Sequence, residues 1–287
     1  MEREVPRSYL IYRERAPGCG MMRRPPVPEM RVRHHFFLLK ELVKRDFQGR
    51  YAGSLLGFVW SFVQPLWMLL LFTFVFSTVM KISPVGTRTG HFSVFLFSGL
   101  LPWMALNEGV TRAATAITDN SSLVKKLRFP SELLVLAVAL AALVHEAIAG
   151  FIFLIVLAVL RELTFGGLPM LLLAVPLQIA LTLGLGLILG SLNVFFRDTA
   201  QILGMVFTGW FYLTPIVYPL ALVPERFQSW LRLNPLTPLV GLYRQALLGG
   251  ELALVPGTGA LAVVAVMLLF LGLLLFRHLK TSFVDEI

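Results

Sequence analysis

Thirty consecutive residues, Tyr51 to Met80, carry no charge, and they follow directly on a basic, partly amphipathic stretch from Phe36 to Arg50. A helix needs about 20 mostly apolar residues to cross the hydrocarbon layer of a bilayer, and the flank richer in Lys and Arg stays in the cytoplasm. The pattern therefore predicts a first span rising from the inner face. Charges and turn residues divide the rest of the chain into five more, giving expected spans of about 53–80, 92–110, 131–160, 168–196, 199–220 and 256–276. The second is the least apolar. Pro224 to Gly250 is too charged and too broken by proline to cross, yet too apolar for an ordinary loop. Residues 224–250 accordingly read as two short re-entrant or interfacial helices on the outer side.

Ahead of the first span, Phe36, Leu39, Val43 and Phe47 share one side at helical spacing, with Glu41, Lys44, Arg45 and Gln48 opposite. Lys40 and Asp46 interrupt the stripe. Residues 36–52 thus read as a helix lying in the interface. Residues 1–35, rich in Arg and Pro, read as a flexible basic cytosolic tail, and residues 277–287 as a second cytosolic tail. Glu2, Arg3, Glu4 and Arg7, with no short apolar segment behind them, predict no secretory signal peptide. The expected fold class is an all-α integral membrane protein. It has six transmembrane helices, an N-terminal interfacial amphipathic helix, and two short outer helices between spans five and six.

Composition agrees, since 57% hydrophobic residues, 14% charged residues and a mean hydropathy of +0.78 exceed what one soluble core requires. Of the 25 Lys and Arg, 19 fall in segments assigned inside and 6 outside, which orients both termini to the cytosol. Cys19 is the only cysteine, so neither an internal disulfide nor a Cys-based metal cluster can form. The chain has no G-x-x-x-x-G-K-[ST] loop to cradle a nucleoside triphosphate, no H-E-x-x-H and no G-x-S-x-G. Asp198, Glu162 and Glu225 are single and scattered, which argues against paired-carboxylate sugar chemistry. The last three spans do not repeat the first three, so a second half of any pore would come from another copy.

Three separated blocks narrow the reading: Arg45 to Pro65 (RDFQGRYAGSLLGFVWSFVQP), Leu123 to Pro130 (LVKKLRFP), and Asn193 to Pro219 (NVFFRDTAQILGMVFTGWFYLTPIVYP), the last continued by Leu233 to Pro235 (LNP) and Tyr243 to Gly249 (YRQALLG). In order and spacing they resemble the type-2 export permeases of ATP-binding-cassette transporters, in the branch that moves O-antigen, capsule and teichoic-acid polymers. The resemblance runs from about residue 36 to the C-terminus. It implies a homodimer of permeases in the bacterial cytoplasmic (inner) membrane with two ATPase subunits beneath it. ATP and Mg would be held by that partner, no cofactor by this chain, and no nucleic acid is involved. The implied substrate is an undecaprenyl-linked polysaccharide, with O-antigen placed ahead of capsule or teichoic acid.

A permease without its own phosphate loop needs cytosolic elements that receive force. The basic helix with Lys44, Arg45 and Arg50 is one. A short helix over Leu123 to Phe129, capped by Asn120 or Ser121 and carrying Lys125, Lys126 and Arg128, is another. The turn at Arg197 and Asp198 lies on the same side. For any single cation, anchoring to anionic lipid is the alternative.

Sugar rings present flat C–H faces, which suit a channel lined by aromatic rings. Trp60, Trp67 and Phe74 recur every seven residues and share a face with Gln64, while Trp210, Tyr212 and Tyr218 sit on the fifth span and Trp230 and Tyr243 on the outer helices. An interfacial belt with ordinary packing is the competing account. His145 and Glu146 lie mid-span, where ionisable groups need partners. The two readings are a proton relay and a structural hydrogen bond or salt link within the dimer. Asn107 and Glu108 are expected at the inner water boundary, and Gly184, Gly186 and Gly190 are expected to allow close helix packing. Outside polymer export, the sequence leaves a drug exporter, a membrane enzyme of envelope glycan synthesis and a structural anchor as alternatives.

Overall fold

The computed structural model describes residues 28–50, 53–81, 89–126, 130–249 and 254–287, and every regular element there is helical. The leader before residue 28 with Cys19, the loop residues Pro84 and Gly86, and Arg128 lie outside the described residues. So do the side chains of Arg50 and Lys126.

The first helix, α1 (Pro28–Arg50), starts at a proline rather than at the expected Phe36, and a first-turn proline suits a helix because its missing N–H needs no partner there. A 3₁₀ turn (Gly57–Val59) leads into α2 (Trp60–Phe72), which widens into a π-helical segment, Thr73–Val79. In that segment the Met80 N–H donates to the Val75 carbonyl at 2.9 Å, and the Thr73 hydroxyl takes the Leu69 carbonyl at 2.8 Å. Next come α3 (Phe92–Asp119), the short α4 (Ser121–Lys126), α5 (Glu132–Val159) and α6 (Leu171–Phe195). After them follow α7 (Thr199–Tyr212), α8 (Glu225–Leu233), α9 (Leu236–Leu248), α10 (Thr258–Leu279) and α11 (Phe283–Glu286).

Four helical stretches among the described residues are long and apolar enough to cross a membrane: Gly57–Phe76, Glu132–Val159, Leu168–Phe195 and Thr258–Ser282. They match the expected first, third, fourth and sixth spans. The expected second span is α3, which continues past residue 110 to Asp119 and carries Asn107, Glu108 and Arg112 in its second half. The expected fifth span is shorter in helix than predicted. Its helix α7 has 14 residues and gives way to turns at Leu213, because Pro215 removes a donor and disfavours helix in the residue before it.

α3 is the centre of the bundle, buried for most of its length against α5, α6, α7 and α9. The most extensive pairing is α6 with α10, and small residues make it possible. In an apolar solvent there is little hydrophobic drive between helices, so close backbone approach supplies the attraction. A Cβ added at Gly184 would stand 2.6 Å from the Leu268 backbone, and one at Gly272 would stand 2.7 Å from the Gly184 carbonyl. Gly186 and Gly190 admit Ala113 of α3 in the same way. The expected role of this glycine set is what the structure contains. α2 and α7, by contrast, bury only one narrow side each and leave long apolar faces uncovered by their own protomer.

Replacing Gly184 by Val forces the α6–α10 crossing apart and is expected to destabilise the bundle by about 1–3 kcal/mol. A lowered thermal midpoint of the detergent-solubilised protein measures it. Gly150→Ala, which meets no heavy atom within 4 Å, is the control and should leave the midpoint unchanged.

Candidate functional site

At one end of the bundle, α1 lies across α3, α4 and α5. Leu42 is buried beside Ala116, Leu134, Ala137 and Val138, with Leu39, Val43 and Leu123 packed around them. The outer part of the predicted stripe behaves differently, since Phe36 and Phe37 face away from this contact and are exposed. Arg45 Nη2 donates to Asn120 Oδ1 at 2.7 Å, and Asn120 Nδ2 donates to the Ala116 carbonyl at 2.8 Å. Asn120 therefore spends its side chain holding α1 rather than capping α4. A crevice of about 360 Å³ lies between α1, α3 and α5 beside Arg45, Gly49 and Asp119. Phe195, at the end of α6, packs on Phe283 of α11, and Lys280 grips both oxygens of Glu132 at 2.8 Å. The exposed side chains of Lys44, Lys125, Arg197 and Asp198 belong to elements that meet at this end. Among the predicted coupling residues, Arg45 is the one committed to a described internal contact.

Deeper in the bundle, a cavity of about 530 Å³ opens between α2, α3 and α5. Gln64, Asn107, Glu108, Arg112, His145 and Glu146 supply its polar lining. His145 Nδ1 lies 3.1 Å from Glu108 Oε2, Arg112 Nη2 donates to Asp46 Oδ1 at 2.6 Å, and Gln178 Nε2 donates to Glu146 Oε2 at 2.8 Å. The hydrogen-bond partners of His145 and Glu146 in this structure come from the same protomer. Glu108 is a binding partner of α5 as well as a lining residue. Asp46, which interrupts the apolar stripe of α1 in the sequence, is explained by Arg112.

The opposite end is organised by Asn234 of the LNP block. Its Oδ1 accepts from Trp210 Nε1 at 2.9 Å and from the Leu236 N–H at 3.0 Å, while Nδ2 donates to the Leu213 carbonyl at 3.1 Å and to Thr214 Oγ1 at 2.9 Å. One amide so fastens the end of α7 to the start of α9. Arg244 of the YRQALLG block completes the fastening. Its terminal nitrogens donate to the carbonyls of Pro215 at 2.7 Å and Ile216 at 2.6 Å, and its guanidinium stacks 3.7 Å over the Phe95 ring. Gly99 makes room for it, since a Cβ there would lie 2.9 Å from Arg244 Nη2. These roles of Asn234 and Arg244 were not assigned from the sequence, although a buried polar residue in so apolar a stretch was the available signal.

The predicted aromatic set separates into two groups. Trp60, Trp67 (63% exposed) and Phe74 (61% exposed) stand along the uncovered face of α2, with Gln64 at the cavity rim. Tyr212 and Trp230 are also exposed, and the Tyr218 hydroxyl is bonded to the Tyr212 carbonyl at 2.8 Å. Trp210 and Tyr243 instead face inward. Trp210 joins Trp103, Phe207 and Phe211 in a ring cluster, and Tyr243, 4% exposed, sits in the core with its hydroxyl toward Glu146. Trp103, absent from the predicted set, is the centre of that cluster.

Apolar helices packed around polar interior contacts describe a membrane-embedded protein. The chain belongs to the ABC-2 type transporter family, whose model it matches over residues 38–248. Among individual proteins it is 32% identical over 257 residues to the O-antigen export system permease protein RfbA of Myxococcus xanthus, covering 87% of this chain and 95% of that one. The RfbA of Klebsiella pneumoniae is 28% identical over 254 residues, with the same coverage. The polysialic acid transport protein KpsM of Escherichia coli is 26% identical over 240 residues, covering 83% of this chain and 92% of that one.

Asn234→Ala removes four hydrogen bonds from a site where α7, α8 and α9 meet. At roughly 0.5–1.5 kcal/mol for each, it is expected to lower stability by about 2–6 kcal/mol. Asn234→Asp, which keeps the acceptor and loses both donors, should fall between the variant and the parent in the same thermal-unfolding assay.

Proposed function

We propose that this chain is the membrane subunit of an ATP-driven exporter that carries a lipid-linked polysaccharide across the bacterial cytoplasmic membrane, with O-antigen the first candidate and capsule or teichoic acid the others. The similarity to permeases named for O-antigen export and polysialic acid transport, over more than four-fifths of the chain, carries this reading. In it the chain crosses six times. α3, 28 residues and about 42 Å long at 1.5 Å per residue, is sufficient for a layer of about 30 Å. α7 with the turns that follow it makes the fifth crossing and α10 the sixth, with α8 and α9 forming the outer helices between them.

Both termini then face the cytosol, and the end bearing α1, α4 and the α6–α7 turn receives two ATPase subunits that bind ATP and Mg. Lys44, Arg45, Arg50, Lys125, Lys126, Arg128, Arg197 and Asp198 are the residues proposed for that contact. A second copy completes the channel. The uncovered apolar faces of α2 and α7 support this, because a face that wide is covered in the membrane by lipid or by another helix. Along it, Trp60, Trp67, Phe74 and Tyr212 offer rings against which an undecaprenyl-linked glycan slides, gripped loosely enough to keep moving.

The deciding measurement is ATP hydrolysis in nanodiscs by this chain co-purified with an ATP-binding-cassette ATPase, with and without lipid-linked polysaccharide. Stimulation of several-fold is expected. Failure to form an ATPase complex would sink the proposal, and turnover of a glycan precursor by the chain alone without ATP would mark a membrane enzyme instead. The channel assignment predicts further that Trp60→Ala with Trp67→Ala lowers polymer export roughly tenfold, from about 0.5–1.5 kcal/mol per lost ring contact. The yield of the ATPase complex should be unchanged, and equal loss of both would refute the lining role.

A further inference from the structure

A file of polar side chains runs through the protomer from α1 toward α9. Arg112 Nη2 on α3 donates to Asp46 Oδ1 on α1 at 2.6 Å, and Arg112 Nη1 is 3.6 Å from Glu108 Oε1, one turn back along α3. Glu108 Oε2 is in turn 3.1 Å from His145 Nδ1, in the middle of α5. Glu146, the next residue, holds Gln178 of α6 at 2.8 Å, and the hydroxyl of Tyr243 on α9 approaches the same carboxyl. Four helices, α1, α3, α5 and α6, are thereby joined by side chains that an apolar solvent would not choose, and Tyr243 of α9 stands beside the last pair without a hydrogen bond to it.

We propose that this file is a mechanical tie: displacement of α1 is delivered through Arg112 and Glu108 to His145, and α5 passes it on through Glu146 to Gln178 near the start of α6, at the far end of the bundle. The proposal rests on the exporter reading, in which α1 is driven by an ATPase. Its physical basis is the cost of breaking a charged link between packed helices, which obliges the freed partner to find another polar group in the file or in the cavity beside it. Links of that kind change together rather than singly. The contact between α1 and the start of α2 is of another sort. Phe47 and Phe58 meet as tilted rings with centroids 5.6 Å apart, a non-directional contact along which the two helices can slide.

The cavity beside the file provides a second arrangement for it. His145 Nε2 has no protein partner, and with Glu108 and Arg112 it borders a space of about 530 Å³, enough for several waters. The side chains can exchange partners there without disturbing the tight α3–α6 and α6–α10 crossings. A tie requires such an alternative state, since coupling is carried by elements with two discrete arrangements.

Asp46 and His145 do not touch in this file, so their substitutions should act independently unless the intervening links are cooperative. Thermal unfolding of the full chain, of Asp46→Asn, of His145→Gln and of the double variant tests this first. The second substitution is expected to lower the midpoint by less than half of what it does alone, and additive losses would overturn the tie. The second test uses the complex with the ATPase in nanodiscs, in a Cys19→Ser background with Leu222→Cys, an exposed position near α8. Labelling of that cysteine by a membrane-impermeant maleimide should change several-fold on adding ATP. In His145→Gln or Arg112→Gln the change should fall to a quarter or less at equal complex yield, and the swapped pair Asp46→Arg with Arg112→Asp should recover at least half of it. An undiminished response in the single variants would reduce the file to a structural brace and overturn the proposal. If the parent forms no ATPase complex, the exporter reading falls first and the tie with it. A parent that forms the complex while additive midpoints are found condemns the tie alone.

Discussion

A polar group placed where water does not reach is costly unless it finds a partner inside the protein, and this constraint fixes the main interhelical polar contacts of the bundle. Gln178 illustrates it, being fully buried among apolar helices with its amide nitrogen directed to Glu146. Asn234 illustrates it more fully, using both ends of one amide to join α7 to α9. Arg244 brings a cation into the core by donating to two carbonyls left over where α7 ends and by stacking on Phe95. In a chain with few polar residues in its spans, each such residue selects which helices become neighbours.

The apolar contacts play a complementary part. Leucine is as comfortable against lipid as against leucine, so apolar packing favours a particular arrangement only where shapes fit closely. That closeness is concentrated at α6, where Gly184 meets α10 and Gly186 and Gly190 meet α3. The α3, α5, α6, α9 and α10 group is consequently a firm block. α2 and α7 lie on its side with wide exposed faces, and the π-helical segment ending α2 loosens its backbone further.

Function follows from how the two ends differ. At the α1 end, basic side chains project outward while Arg45 and Asp46 reach inward to α3 and α4. At the α9 end, the proline-rich turn after α7 is locked by Asn234 and Arg244. Between them, the His145–Glu108 pair lies beside an open cavity. Membership of the ABC-2 family gives this arrangement its context, since the relatives named for polysaccharide transport match along nearly their whole length.

Hydropathy is a local property, and so the positions of the apolar helices and the family motifs were legible in the chain itself. The glycine set of α6 was legible too, because three small residues on an apolar helix have few other uses. Pairings were not. Asp46 and Arg112 are 66 positions apart, Glu108 and His145 are 37 apart, and Glu146 and Gln178 are 32 apart. No periodicity links residues at such distances, so the sequence marked His145 and Glu146 as needing partners without indicating that α3 and α6 of the same protomer supply them. The aromatic residues divide for the same reason. Trp67 and Tyr243 look alike as candidates along the chain, and only the docking of α9 against α3 buries one while the narrow seat of α2 leaves the other exposed. Sequence determined which segments form apolar helices, because that depends on each segment alone; tertiary structure decided which polar groups meet, because that depends on how helices distant in sequence are brought together.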